Sequence, residues 1–162
     1  WNAARKGDFS GVKRALEEGA NVEVEMPASK EMSYKSRQVA SQPLHAAAMF
    51  QGLKDEGAAC LIPDAGFEEA TAIVKLLLEA RASPDALASS SQMVKDEKTG
   101  GKIEEKRFLQ AIHIAAGSGN AGVVRLLVEN GVDPNVAAIC KQAAHYMPIH
   151  DAVWFGHINS LM

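Results

Sequence analysis

One phrase recurs along the chain and constrains it more than any other feature. It reads PLHAAA at Pro43–Ala48, IHIAA at Ile112–Ala116 and PIHDAV at Pro148–Val153. A second phrase follows: LLLEARA at Leu76–Ala82 and LLVENGV at Leu126–Val132, with an earlier relative, RALEEGA, at Arg14–Ala20. Internal repetition at this scale means that the chain builds one small unit several times and stacks the copies.

The register holds over several residue types at once. His113 and Gly131 are 18 residues apart, as are Gly19 and Trp1, which stands where the His would be. Gly7, Gly119 and Gly156 each fall six residues after the marker, and Ala3–Ala4, Ala47–Ala48 and Ala115–Ala116 fall two and three after it. Each unit reads as two short helices. Pro43 and Pro148 suit the first turn of a helix, where a missing N–H costs nothing. Asp8 and Asn120 are placed to cap the second helices. Val12 with Leu16, Ile73 with Leu77, and Val123 with Leu127 form i, i+4 apolar stripes, and Gly19 and Gly131 stop those helices. Paired alanines leave room for another helix to approach. Neither helix can bury its apolar face alone, so the core arises from stacking.

These residues resemble the ankyrin repeat, whose signature is T-P-L-H-x-A on a period of about 33 residues. The resemblance covers nearly the whole chain apart from insertions. It implies an all-α solenoid of helix-turn-helix units, each followed by a β-turn or hairpin finger. Units are expected near residues 1–22, 43–85, 110–136 and 147–162, the first and last truncated, in a piece cut from a longer polypeptide. Three departures stand out: Gln42, Gln110 and Met147 replace the Thr that would bond the His, Ala111 replaces the Pro, and Arg81 replaces the Gly after a second helix. The left-handed conformation at that last position suits Gly and penalises Arg. The resemblance makes His45, His113 and His150 structural markers.

The insertions are the individual part. A standard unit leaves about 15 residues between the second-helix Gly and the next marker His. Here Gly19 to His45 is 26, Arg81 to His113 is 32 and Gly131 to His150 is 19. Lengthened fingers are therefore expected at about 22–42, 84–110 and 135–147, with a further insertion near 51–66 between two helices. Insertions in repeat proteins map to loops, often on the binding face. Thr99-Gly100-Gly101-Lys102 reads as a hairpin turn between Gln92–Lys98 and Ile103–Phe108. Tyr and Arg are common interface anchors and Met adapts to irregular surfaces, so Tyr34, Arg37, Met93, Lys102 and Tyr146 are the candidate partner contacts.

Other chemistries are poorly supported. A net charge of −3 gives no general attraction to nucleic acid, and no apolar run is long enough to span a bilayer. Cys60 and Cys140 make no disulfide framework. Cys140, His145, His150 and His157 lack a tight Cys pair for zinc, so neither a metal nor a cofactor is expected. Gly117–Gly122 fits G-x-G-x-x-G, with Asp133 near the place of a ribose-binding acid. Yet Gly119 is explained by the repeat, and the buried parallel strands that such a site needs are missing. Ser89–Ser91, Glu68–Glu69 and Glu104–Glu105 assemble into no recognisable catalytic set. The expectation is a non-enzymatic, intracellular and cytoplasmic scaffold. It presents a concave helical face and fingers to a partner protein, with no nucleic-acid partner and no membrane insertion. The alternatives are a regulatory or targeting arm of a larger enzyme or membrane protein and, less favoured, nucleotide binding at 117–122.

Overall fold

The structure is a computed structural model that describes residues 1–26, 33–34, 37–40, 42–49, 67–95, 100–140 and 146–157. Seven helices and five strands are defined among them: α1 (Asn2–Lys6), α2 (Phe9–Glu17), β1 (Ser33–Tyr34), β2 (Arg37–Ala40), α3 (Pro43–Ala48), α4 (Phe67–Glu79), β3 (Leu87–Lys95), β4 (Lys102–Gln110), α5 (Ala111–Ser118), α6 (Ala121–Glu129), β5 (Ile139–Cys140) and α7 (Pro148–Trp154). The segment Ile112–Ala116 opens a helix, as its counterpart at Leu44–Ala48 does. The insertion expected at 51–66 lies outside the described residues.

The helix ends follow from local chemistry. The Asp8 carboxylate accepts from the Gly11 N–H at 2.8 Å, and the Asn120 side chain accepts from the Val123 N–H at 3.0 Å. Each satisfies one of the N–H groups left open at a helix start. Behind each second helix the same closing bond recurs: Ala20 N–H to Ala15 O at 2.9 Å, Ala82 to Leu77 at 2.9 Å and Val132 to Leu127 at 3.1 Å. The closure needs a left-handed residue just before the donor. Gly19 and Gly131 supply it with φ of 82° and 90°, and Arg81 is forced into it with φ of 67°.

Two files of helices carry the core. α1, α3, α5 and α7 pack in sequence, α2, α4 and α6 pack in a second sequence, and each first helix leans on the second helix that follows it in α1–α2, α3–α4 and α5–α6. Every residue of α3 and of α5 is buried, because each lies between two neighbours in its own file. Ile73, Val74 and Leu77 of α4 and Val123 and Leu127 of α6 complete the apolar interior.

The all-α expectation needs correction. The fingers form a five-stranded antiparallel sheet in the order β1-β2-β3-β4-β5. β2 joins β3 through Gln38–Ser91, Val39–Ser90 and Ala40–Ser89, and β4 joins β5 through Arg107–Cys140 and Phe108–Ile139. The physical reason is a match of spacings. Neighbouring helices lie about 8–10 Å apart, and two strands occupy about 9.5 Å. A stack that advances one helix per unit thus brings successive two-stranded fingers edge to edge, where their open N–H and C=O groups find partners. The central hairpin also differs in extent: its arms are Leu87–Lys95 and Lys102–Gln110, so Lys102 is already a strand residue, opposite Lys95. The fold is therefore mixed: packed helix pairs flanked by a small antiparallel sheet.

Candidate functional site

The repeated histidines fix the roots of the fingers to the helices. Each sits three residues into its helix, and its Nδ1 accepts a hydrogen bond from the main-chain N–H just before the helix: Gln42 to His45 at 3.4 Å, Gln110 to His113 at 3.3 Å and Met147 to His150 at 2.9 Å. Because the donor is main chain, Gln and Met serve where a Thr hydroxyl would otherwise be expected. With Nδ1 accepting, the His45 proton sits on Nε2, which donates to the Ala86 carbonyl at 2.9 Å, immediately before β3. Burial pushes the His45 imidazolium pKa down to about 4, against the opposing pull of the Ala86 bond. Burial likewise lowers the His113 pKa to about 4. Both rings are neutral near neutral pH and serve as structural ties.

A polar relay crosses from the sheet to α7. Arg107 donates to Glu105 at 2.9 Å, both largely buried on one face of β4. The Arg107 guanidinium lies 5.3 Å from the centre of the Tyr146 ring. That ring stacks on His150 at 5.6 Å, and its hydroxyl donates to the Asp151 carboxylate at 2.8 Å. Tyr146 is also tied to the third finger by the Ala138 N–H, which donates to its carbonyl at 2.6 Å. The half-buried ring thus meets both a cation and an imidazole.

On β4 the opposite face is open. Side chains alternate between faces along a strand. On β4, Glu105 and Leu109 turn inward, while Lys102, Glu104, Lys106 and Phe108 are exposed. Phe108 lies directly across from Ile139, and both are exposed apolar side chains; Leu87, at the root of β3, is a third. The adjacency Phe108-Leu109 carried the signal, since two consecutive strand residues cannot both face a core. Phe108, Ile139 and Leu87 were not among the sequence candidates.

The five sequence candidates do not converge on one spot. Tyr34 and Arg37 are directly opposite each other on β1 and β2. Met93 is across from Glu104, and Lys102 is exposed at the far end of the hairpin. Tyr146 lies beyond the opposite edge strand, in the relay. The sheet strings them across its width.

The Gly-rich segment 117–122 is a helix–turn–helix junction. Gly117 and Ser118 end α5, Gly119 is left-handed with φ of 80°, and Asn120 caps α6. No strand leads into it from α5, so it lacks the strand–turn–helix outline of a dinucleotide site. A side chain at Gly119 would meet the His157 ring at 2.6 Å, so this glycine also serves close packing. Among the described residues no group of three or more His, Cys, Asp or Glu could hold a metal ion, and no helix is long and apolar enough to cross a membrane. His145 and Cys60 lie outside the described residues.

Comparison with known families gives a match over a short part of the chain. The ankyrin-repeat family model matches residues 110–139. That stretch runs from the last residue of β4 through α5 and α6 to the first residue of β5. Among curated proteins, none matches the chain. The ankyrin-like segment is consistent with a role in binding other proteins.

Proposed function

We propose that the chain is a protein-interaction module built as a solenoid of ankyrin-like units at about 1–22, 43–85, 110–136 and 147–162, and that it catalyses no reaction. Its working surface is the outer face of the finger sheet. The observation that carries this reading is the exposed apolar row Phe108–Ile139, with Leu87 nearby, on strands rooted in a rigid helical stack. Exposed apolar residues grouped on one face favour a binding role over a spacer. A surface ordered before binding also loses less entropy on docking. Lys102 extends this surface toward the tip of the hairpin; Tyr146 positions the third finger through Arg107 and Asp151. Repeat scaffolds bind partners of many kinds, so the fold alone names none.

The test is affinity capture with the intact chain against Phe108→Asp and Ile139→Asp, each first checked for an unchanged circular dichroism spectrum and melting point. Loss of the same captured protein in both variants supports the reading. Undiminished capture by both variants removes the sheet face from the proposal.

A further inference from the structure

The last helix is joined to its finger by different chemistry from the helix before it. Counted from the marker histidine, Tyr146 and Asp151 stand where the preceding unit has Leu109 and Ile114. Leu109 and Ile114 are buried apolar side chains. Their replacements form a polar pair: the Tyr146 hydroxyl donates to the Asp151 carboxylate at 2.8 Å, and Asp151 is 2% exposed. Apolar surfaces lose contact gradually as they part. A buried carboxylate that loses a donor bears the desolvation cost at once, so this bond favours two states, made or broken.

The main chain of the same tyrosine holds the third finger. Its carbonyl accepts from the Ala138 N–H at 2.6 Å, and the next residue, Ile139, lies across from Phe108. Its ring stacks on His150 of α7 and lies 5.3 Å from the Arg107 guanidinium of β4. One residue thus touches α7, the second finger and the third at once.

We propose that α7 and the third finger open and close as one unit, with Tyr146 as the latch that passes a displacement of α7 to the Phe108–Ile139 row. While α7 is seated on α5, Asp151 holds the Tyr146 hydroxyl, which fixes the Tyr146 main chain and with it Ala138 and Ile139. When α7 lifts, the hydroxyl loses its acceptor and Ile139 leaves its place across from Phe108. An event that steadies or displaces α7, whose Ile149, Val153 and Trp154 are exposed, therefore assembles or splits the apolar row on the sheet. This coupling concerns the assembly of the row and holds whether or not the row binds a partner.

Native-state hydrogen exchange of the whole chain, read residue by residue by NMR in low concentrations of urea, tests it. In the wild type the Ala138 amide and the α7 amides should share one urea dependence and exchange faster than the α5 and α6 amides, because amides released by one opening share its free energy. Ala152→Gly loosens α7 at a side chain that is 0% exposed. It should speed the α7 amides about fivefold and Ala138 by the same factor, with α4 and α6 unchanged. Tyr146→Phe removes only the hydroxyl and should split the two responses. In that background Ala152→Gly should still speed α7 but should change Ala138 by less than about twofold. Val153→Ser, on the exposed side of α7, should move neither. Different urea dependences for Ala138 and α7 in the wild type overturn the proposal, without requiring any variant to fold. So does an Ala152→Gly effect confined to α7, or an undiminished joint response in Tyr146→Phe.

Discussion

α5 and α7 begin with the same phrase and end in different surroundings. Ile112-His113-Ile114-Ala115 in one corresponds to Ile149-His150-Asp151-Ala152 in the other. Both histidines accept the same main-chain bond, and Ala115 and Ala152 are both buried. But α5 lies between α3 and α7, whereas α7 packs on α5 alone in its file among the described residues. All of α5 is therefore buried, while Ile149, Val153 and Trp154 of α7 are 50%, 64% and 81% exposed. The difference separates two causes. The phrase dictates the helix and its first-turn bond; the number of neighbours dictates what that helix contributes to stability.

Acid should expose the difference most strongly. The folded chain holds His45 and His113 with pKa values of about 4, below the ordinary 6.5. Between those values the unfolded chain binds more protons, so stability rises with pH there. It is complete above about 6.5 and is lost as pH falls toward 4. A tenfold difference in proton affinity between the folded and unfolded chain corresponds to about 1.4 kcal/mol, so each histidine contributes on the order of 3 kcal/mol. Urea midpoints at pH 7, 5.5 and 4.5 should fall steeply, and His113→Gln should flatten the slope. A wild-type midpoint independent of pH would mean that the two histidines are not held neutral by burial.

A substitution pair sharpens the contrast. His113→Leu should cost about 2–3 kcal/mol through a lost buried hydrogen bond and altered packing. The equivalent His150→Leu should cost under about 1 kcal/mol, because that ring is exposed. Equal melting shifts would mean that position within the stack does not matter.

The second helices allow a smaller test. Arg81 occupies the left-handed slot that Gly131 fills one unit later. Arg81→Gly should stabilise the chain by about 1 kcal/mol, and Gly131→Arg should destabilise it by about 1–2 kcal/mol, since the side chain is strained in that conformation. Opposite signs in thermal melts are expected. The smallest effect belongs to α7: Val153→Ser should change stability by less than about 0.5 kcal/mol, whereas Ala116→Ser, at the matching buried position, should be clearly destabilising.

Much of the helical layer was legible in the sequence because it is local. Pro43 and Pro148 open helices, Asp8 and Asn120 cap them, Gly19 and Gly131 close them, and Arg81 shows the strain expected of a non-glycine in that slot. These features depend on residues within one turn of each other. The hairpin of the second finger was also readable, although its arms proved longer than Gln92–Lys98 and Ile103–Phe108. The surface was less legible. Tyr146 looked like a contact residue by type, yet its ring and hydroxyl are engaged by Arg107, His150 and Asp151. Phe108 and Ile139, which do face outward, are ordinary strand residues in isolation.

What the chain determined by itself is the repeating unit: short helices with dictated starts and stops, carrying apolar stripes too narrow to stand alone. What only the tertiary structure decided is the joining of the fingers into one sheet and the separation of buried from exposed histidines. Both depend on residues far apart in sequence. The spacing of packed helices sets the spacing of strands, and a side chain's burial is settled by the neighbour laid against it.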